Sequence, residues 1–205
     1  MELLLIRHAL PIRRELEEGA ADPELSQAGH EQAQHLAEYL ASERLDALYA
    51  SPMRRAQQTA QPVATAQGLE IITADGVAEW DQNASHYVPV EELKAANDPR
   101  WQAMVAGEWE SDEPQDQFIE RVVSTVEQII DRHRSQRVAV VCHGGVINQY
   151  LAHILGLPAS NGFFYPNYTS IHRVAAASSG ERSVVTVNET VHLRHKGLPI
   201  GVFQR

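Results

Sequence analysis

The sequence has a single cysteine, Cys142, among its 205 residues. That excludes an intramolecular disulfide framework and a zinc or iron–sulfur site built on cysteines. Basic residues are outnumbered, with 17 Lys+Arg against 27 Asp+Glu and a formal net charge of −10. A uniformly acidic surface repels polyphosphate, so nonspecific binding to nucleic acid or to an anionic membrane is disfavoured. A small basic pocket inside an acidic shell remains compatible. Long hydrophobic runs are missing too. The N-terminal run, residues 3–6, is far too short for a signal peptide or a membrane span, and Glu2 stands where a basic n-region would lie. These absences predict a soluble cytoplasmic protein with neither nucleic acid nor membrane as partner, and they leave a homodimer open. No internal repeat or low-complexity tract is present.

The length fits one domain, with or without an insertion. Such a chain buries roughly 70% of its unfolded surface and needs no staples. Short apolar runs predict strands at residues 3–6, 45–50, 70–73 and 137–142. Two more, at 171–177 and 183–188, flank the turn Ser178-Ser179-Gly180-Glu181 and read as an antiparallel hairpin.

Helical patterns alternate with these strands. Ser26 can cap a helix reaching about Glu43, with Ala33, Leu36, Ala37 and Leu40 on one face. A second helix is expected over residues 54–67, with Pro62 kinking or breaking it. Phe118, Val122, Val126, Ile129 and Ile130 make the clearest 3.6-residue stripe, in a helix over about 115–134. Another begins near Gly145 and ends before Gly156. Strand–helix alternation implies a mostly parallel sheet covered on both faces. Residues 80–114 interrupt it. They hold Trp80, Trp101 and Trp109 and an acidic run at Glu108, Glu110, Asp112 and Glu113. They read as an inserted helical lid, or as a long solvated excursion pinned by its tryptophans.

In open α/β sheets, ligands bind beyond the carboxyl ends of the strands. The first strand is followed by Arg7 and His8, the second by Ser51-Pro52-Met53-Arg54-Arg55, the third at a distance by Glu79, and the fourth by His143-Gly144-Gly145. Cations, histidines and a carboxylate on one rim are the composition of a phosphoryl-transfer site.

Six segments then carry a specific resemblance. Leu5-Ile6-Arg7-His8 resembles the Arg-His signature of the histidine phosphatase superfamily, the phosphoglycerate-mutase-like proteins. Residues 25–33, 51–60, 78–81, 140–147 and 167–171 are similar to its later blocks, in family order. One departure is Ala9, where the family usually has glycine; an Ala held at positive φ would be strained. The resemblance implies a three-layer α/β/α sandwich with an antiparallel edge hairpin and an inserted lid, in one domain over 1–205. It also implies a metal-independent phosphomonoesterase, without cofactor, acting on a small phosphorylated metabolite.

Carried over residue by residue, the resemblance makes His8 the nucleophile, attacking phosphorus through a neutral nitrogen. Arg7 and Arg55 clamp the phosphate, because a guanidinium fork matches two of its oxygens. They also disfavour protonation of His8. His143, as imidazolium, binds phosphate and steadies the spreading charge. Glu79 is the general acid, its pKa raised by an arriving dianion. Asp81 and Asp75 are its rivals nearby.

Other candidates have plainer explanations. Arg54 reads as a solvated helix start. Arg13 and Arg14 read as surface charges, or as partners of a second anionic group. Ser26 is accounted for by its cap, and Cys142 reads as buried and inert. His30 and His35 are five apart and do not share a helix face. His192 and His195 lack identifiable co-ligands, and no metal site is expected. Neither a P-loop nor a Gly-x-Ser-x-Gly elbow is present. The rival functions are a phosphoglycerate mutase-type isomerase, a phosphohistidine-protein phosphatase and a non-catalytic phosphate-binding module.

Overall fold

The computed structural model describes residues 1–106, 113–158 and 162–203. The first half of the chain runs β1 (Glu2–Arg7), β2 (Arg14–Glu15), α1 (Gln27–Leu40), β3 (Ala47–Ala50), α2 (Arg54–Gln67), β4 (Ile71–Thr73) and β5 (His86–Tyr87). It continues with α3 (Val90–Ala95), α4 (Pro99–Ala106), α5 (Gln115–Arg132), β6 (Arg137–Cys142), α6 (Gly144–Leu155), β7 (Ile171–Ala176) and β8 (Arg182–Glu189). Six strands form one sheet in the order β4-β3-β6-β1-β7-β8. The pairings β4–β3, β3–β6 and β6–β1 are parallel, whereas β1–β7 and β7–β8 are antiparallel.

Alternation along the buried strands sends side chains to two cores. Leu3 and Leu5 of β1, with Val138 and Val140 beside them on β6, pack against Phe118, Val122 and Val126 of α5 and Ile147 and Tyr150 of α6. Leu4 and Ile6, with Ala139 and Val141, pack against Leu36 and Leu40 of α1 and Ala60 and Val63 of α2. The result is the expected three-layer sandwich. Leu3 to Ile6 are all fully buried; each contributes roughly 1.5–3 kcal/mol relative to exposure.

Three elements differ from expectation. β3 begins at Ala47 rather than Leu45; just ahead of it, the Asp46 N–H reaches Arg137 O at 2.8 Å while the Asp46 carboxylate takes the Arg137 N–H at 2.8 Å. α2 runs unbroken through Pro62. A proline removes one intrahelical bond, and the buried Ala60, Val63 and Ala64 hold the helix on the sheet across it. The ribbon of β2 and β5, which pairs Arg14 with Tyr87 and Glu15 with His86, has too few residues for any pattern to reveal.

Within 80–114, the described residues form β5, α3 and α4. Trp80 stacks on Phe118, ring centroids 4.8 Å apart. α4, which carries Trp101, has no buried residue. Trp109, Glu108, Glu110 and Asp112 lie outside the described residues. Among the described residues, no helix is long and apolar enough to cross a membrane.

Candidate active site

β1, β3 and β6 are neighbours and parallel, so their carboxyl ends share one edge. His8 leaves β1, Ser51 leaves β3 and His143 leaves β6. The His8 N–H reaches Cys142 O at 2.9 Å, and the Ser51 N–H reaches Val141 O at 2.9 Å. These bonds extend the ladder past each strand and fix where the side chains start. α2 follows and brings in Arg55; α6 begins immediately after His143.

The His8 ring is buried, with Nδ1 2.8 Å from Ala9 O. A carbonyl only accepts, so Nδ1 carries the proton and Nε2 keeps a free lone pair. Burial, then Arg55 and Arg7, hold His8 well below the ordinary histidine range. The His143 ring centroid lies 5.1 Å away. Its Nε2 is 2.7 Å from Ser51 Oγ, and that hydroxyl already accepts the Met53 N–H at 3.3 Å. With the hydroxyl proton directed at Nε2, the His143 proton sits on Nδ1. Burial, then Arg55, His8 and Arg7, keep His143 well below its usual range. Burial and these neighbours thus oppose the imidazolium form of His143.

Arg7 donates from Nη1 to Pro166 O at 2.6 Å and lies over the Tyr168 ring at 4.2 Å. Arg55 is 1% exposed, and its Nη2 donates to Asp81 Oδ1 at 2.7 Å. Asp81, a rival for the acid, is thus the arginine's ion-pair partner. Among the described residues, the buried donors without a partner include four gathered here, Arg7 Nε, Arg55 Nε, Arg55 Nη1 and His143 Nδ1, with the Tyr165 hydroxyl on the cavity wall nearby. An unpartnered buried donor typically costs about 1–3 kcal/mol, so four at one spot mark a place built for an anion.

Glu79 takes the Gly145 N–H on Oε2 at 2.8 Å, in the first turn of α6. Burial and the nearby Asp81 push it up to about 7, against the pull of Gly145 N–H and Arg55. A Cβ at position 145 would collide with Glu79 Oε1 and Trp80 Nε1, so the second glycine makes room for the acid. Arg121 Nη1 holds the carbonyls of Gly76 and Ala78 at 3.0 and 2.9 Å, just ahead of Glu79. Its Nε and Nη2 grip the Glu113 carboxylate.

Arg7, His8, Arg55 and Glu79 line a cavity of about 1520 Å³. Its far wall comes from the ribbon, α3, α4 and residues 162–166. Arg13 and Arg14 do not line it; Arg13 pairs with Glu15 and Glu92, and Arg14 with Glu24. Arg54 faces outward onto Glu24 at 2.7 Å. Asp75 is exposed and off the cavity. Ser26 caps α1, its Oγ taking the Gly29 N–H at 3.0 Å. Burial pushes the Cys142 thiol up, consistent with an inert side chain. His192 is buried on Thr169 Oγ1. Among the described residues, no group of three or more His, Cys, Asp or Glu is placed to hold a metal ion. The non-glycine residues with positive φ are Asn97, Ser135, Thr169, Asn188 and His195; Ala9 is not one of them and carries no such strain.

Sequence reasoning gave no role to three residues that shape this site. Ser51 fixes the His143 ring. Thr59 Oγ1 takes the Ala9 N–H at 2.9 Å and donates to Arg55 O at 2.7 Å, tying the loop after β1 to α2. Ser51 and Thr59 both lie in the quoted block 51–60, which was the available signal. Arg121 lies outside every block, on a helix read only for its apolar stripe.

The sequence pattern of the histidine phosphatase superfamily (branch 1) matches residues 3–190, and the chain belongs to that family. Phosphoserine phosphatase 1 of Hydrogenobacter thermophilus is 29% identical over 201 residues, covering 94% of each chain. Phosphoglycerate mutase-like protein 4 of Arabidopsis thaliana is 34% identical over 160 residues, 71% of this chain and 67% of that protein. Among solved structures, a phosphoserine phosphatase mutant from Entamoeba histolytica in complex with phosphoserine is 22% identical. It superposes with a TM-score of 0.72 over 94% of this chain and 98% of that one, a likeness of fold.

Proposed function

We propose that the chain is a metal-independent phosphomonoesterase that acts through a phosphohistidine on His8, on a small phosphorylated metabolite. The observation that carries this reading is the set of four unpartnered buried donors on Arg7, Arg55 and His143, set beside the free Nε2 of His8.

The phosphoryl group takes its oxygens to those donors. His8 Nε2 attacks phosphorus in line, the ester P–O bond breaks, and Glu79 gives its proton to the departing oxygen. Glu79, now a carboxylate, takes a proton from water. The water oxygen attacks phosphorus, the P–N bond breaks, and inorganic phosphate leaves. Arg7, Arg55 and His143 offset the charge that spreads over the equatorial oxygens in both steps. Every group named in this scheme belongs to this chain, and the scheme invokes no metal or cofactor. Residues 80–114 act as the lid of a single domain over 1–205, and the enzyme works in the cytoplasm. The phosphoserine phosphatase likeness over nearly the full chain supports hydrolysis over isomerisation.

The test is hydrolysis of an aryl phosphate with chelator present, for the native protein and His8→Ala. The variant should lose about three orders of magnitude or more in kcat, and acid quench should trap phosphohistidine in the native protein only. Full activity in His8→Ala would end the reading. An inert native protein that still binds phosphate would favour the binding module.

A further inference from the structure

The phosphate donors occupy one end of a cavity far larger than a phosphate. Pockets for small molecules typically run to about 300–1,000 Å³, and this one reaches about 1520 Å³. Among polar residues such as Asn83, Ser85 and Tyr165, its remaining wall carries a group of aromatic and apolar side chains: Trp80, Tyr87, Trp101, Met104, Phe163 and Phe203. Phe163 is 43% exposed and Phe203 69%, although both are large apolar side chains. Such side chains gathered around one opening mark a surface that binds.

The wall has little with which to hold a second anion. Beyond Arg7 and Arg55, the arginine lining it is Arg100, and no described lysine lines it. Arg100 Nε and Nη2 already engage both oxygens of Asp98, at 3.0 and 2.9 Å. His86 lies exposed on the ribbon. Glu17 and Glu18 line the same cavity and repel anions. Asn148 is committed as well: its Nδ2 donates to Gly144 O and Phe164 O, and its Oδ1 takes the Phe163 N–H. A substrate carboxylate or second phosphate would have to give up water here with few cations among the described residues to replace it: His86 on the ribbon, and Lys94, which lies over the Phe203 ring and donates to Val202 O at 3.4 Å.

We infer that the leaving group this enzyme reads is an uncharged aromatic or apolar alcohol, and that esters bearing a carboxylate or a second phosphate are poor substrates. The inference rests on the phosphatase reading and goes past it, because the same phosphate end would serve either kind of ester. It also sets this chain apart from relatives named for phosphoserine, whose ester carries an ammonium and a carboxylate.

The experiment compares 2-(1-naphthyl)ethyl phosphate with O-phospho-L-serine and 3-phosphoglycerate on the native protein. The naphthylethyl and seryl esters both release primary alcohols, so the comparison limits differences in leaving-group reactivity and weighs binding. The expected result is a kcat/KM for the naphthyl ester at least about tenfold above either acid, lying mainly in KM. Trp101→Ala should shrink that preference by raising KM for the naphthyl ester more than for phosphoserine. Equal or better use of phosphoserine would overturn the inference and leave the phosphatase reading intact. Hydrolysis of none of the three, and of no aryl phosphate, would overturn the phosphatase reading and the inference with it.

Discussion

The two ends of the cavity are built on different terms. At the sheet end, His8, Arg55 and His143 are 3% exposed or less, and Arg7 is 6% exposed. Strands and helices of the sandwich hold them, with buried donors left unpaired. At the far end, α4 buries none of its residues and Val105 is 68% exposed. Preorganising donors for a charge that appears only when substrate binds destabilises the empty protein, so it needs a rigid core around it. Stacking on an apolar leaving group needs only area, and marginally packed helices supply that. The difference separates a preorganised anion site held by the sheet from a far wall on sparsely packed helices, where the proposed choice of leaving group would be made.

Perturbing the acid should give the largest effect after loss of the nucleophile. Glu79→Gln cannot deliver a proton and should lower kcat by about 10²–10⁴. The native kcat/KM should fall as pH rises through about 7, where Glu79 ionises in the free enzyme. The variant should lack that limb. Stability should fall with rising pH over the same range. Glu79 binds its proton more tightly folded than unfolded, so its favourable contribution is complete below about 4.5 and fades as pH rises to about 7. Thermal melts at pH 8 should therefore find Glu79→Gln more stable than the native protein, by at most about 3 kcal/mol. Equal stability across pH 4 to 8 would mean that Glu79 is not held as an acid.

A smaller effect tests positioning alone. Gly145→Ala places a methyl against Glu79 Oε1. The carboxylate can give way, but the methyl also meets Trp80 Nε1, whose ring is stacked on Phe118, so some stability should be lost as well. A displacement on this scale should lower kcat by up to about 10². Steady-state kinetics with a melting curve separates that outcome from misfolding. The smallest effect should come from Arg13→Ala. That arginine is half exposed, paired with Glu15 and off the cavity. Exposed pairs contribute about 0–1 kcal/mol, so kcat/KM for any phosphomonoester should stay within about twofold. A larger loss would place a cation at the far end after all and blur the contrast drawn here.

Much of the sheet end was legible before folding. Each strand with its carboxyl end at that edge announces its cargo within a few residues: Arg7-His8 after β1, Arg55 after β3, His143 after β6. Parallel strands in register convert sequence adjacency into spatial adjacency, which is why short blocks suffice. The acid was harder, because Glu79 follows a longer excursion past β4 and has Asp81 for a neighbour. Only the Arg55–Asp81 pair at 2.7 Å and the Gly145 N–H on Glu79 separate their roles. Arg121 gave no signal, since its bonds are to carbonyls 43 and 45 residues away.

The sequence by itself determined the layering, the candidate phosphate-binding side chains and the family, because hydrophobic period and strand-end chemistry are local properties. Tertiary structure alone decided the hydrogen bond that sets the His8 tautomer, the lowered proton affinity of His143, the raised proton affinity of Glu79 and the aromatic side chains of the far wall. Each of those depends on which groups burial brings within a few ångströms from distant parts of the chain. Desolvation and close charges act through space, and the order of residues does not encode them.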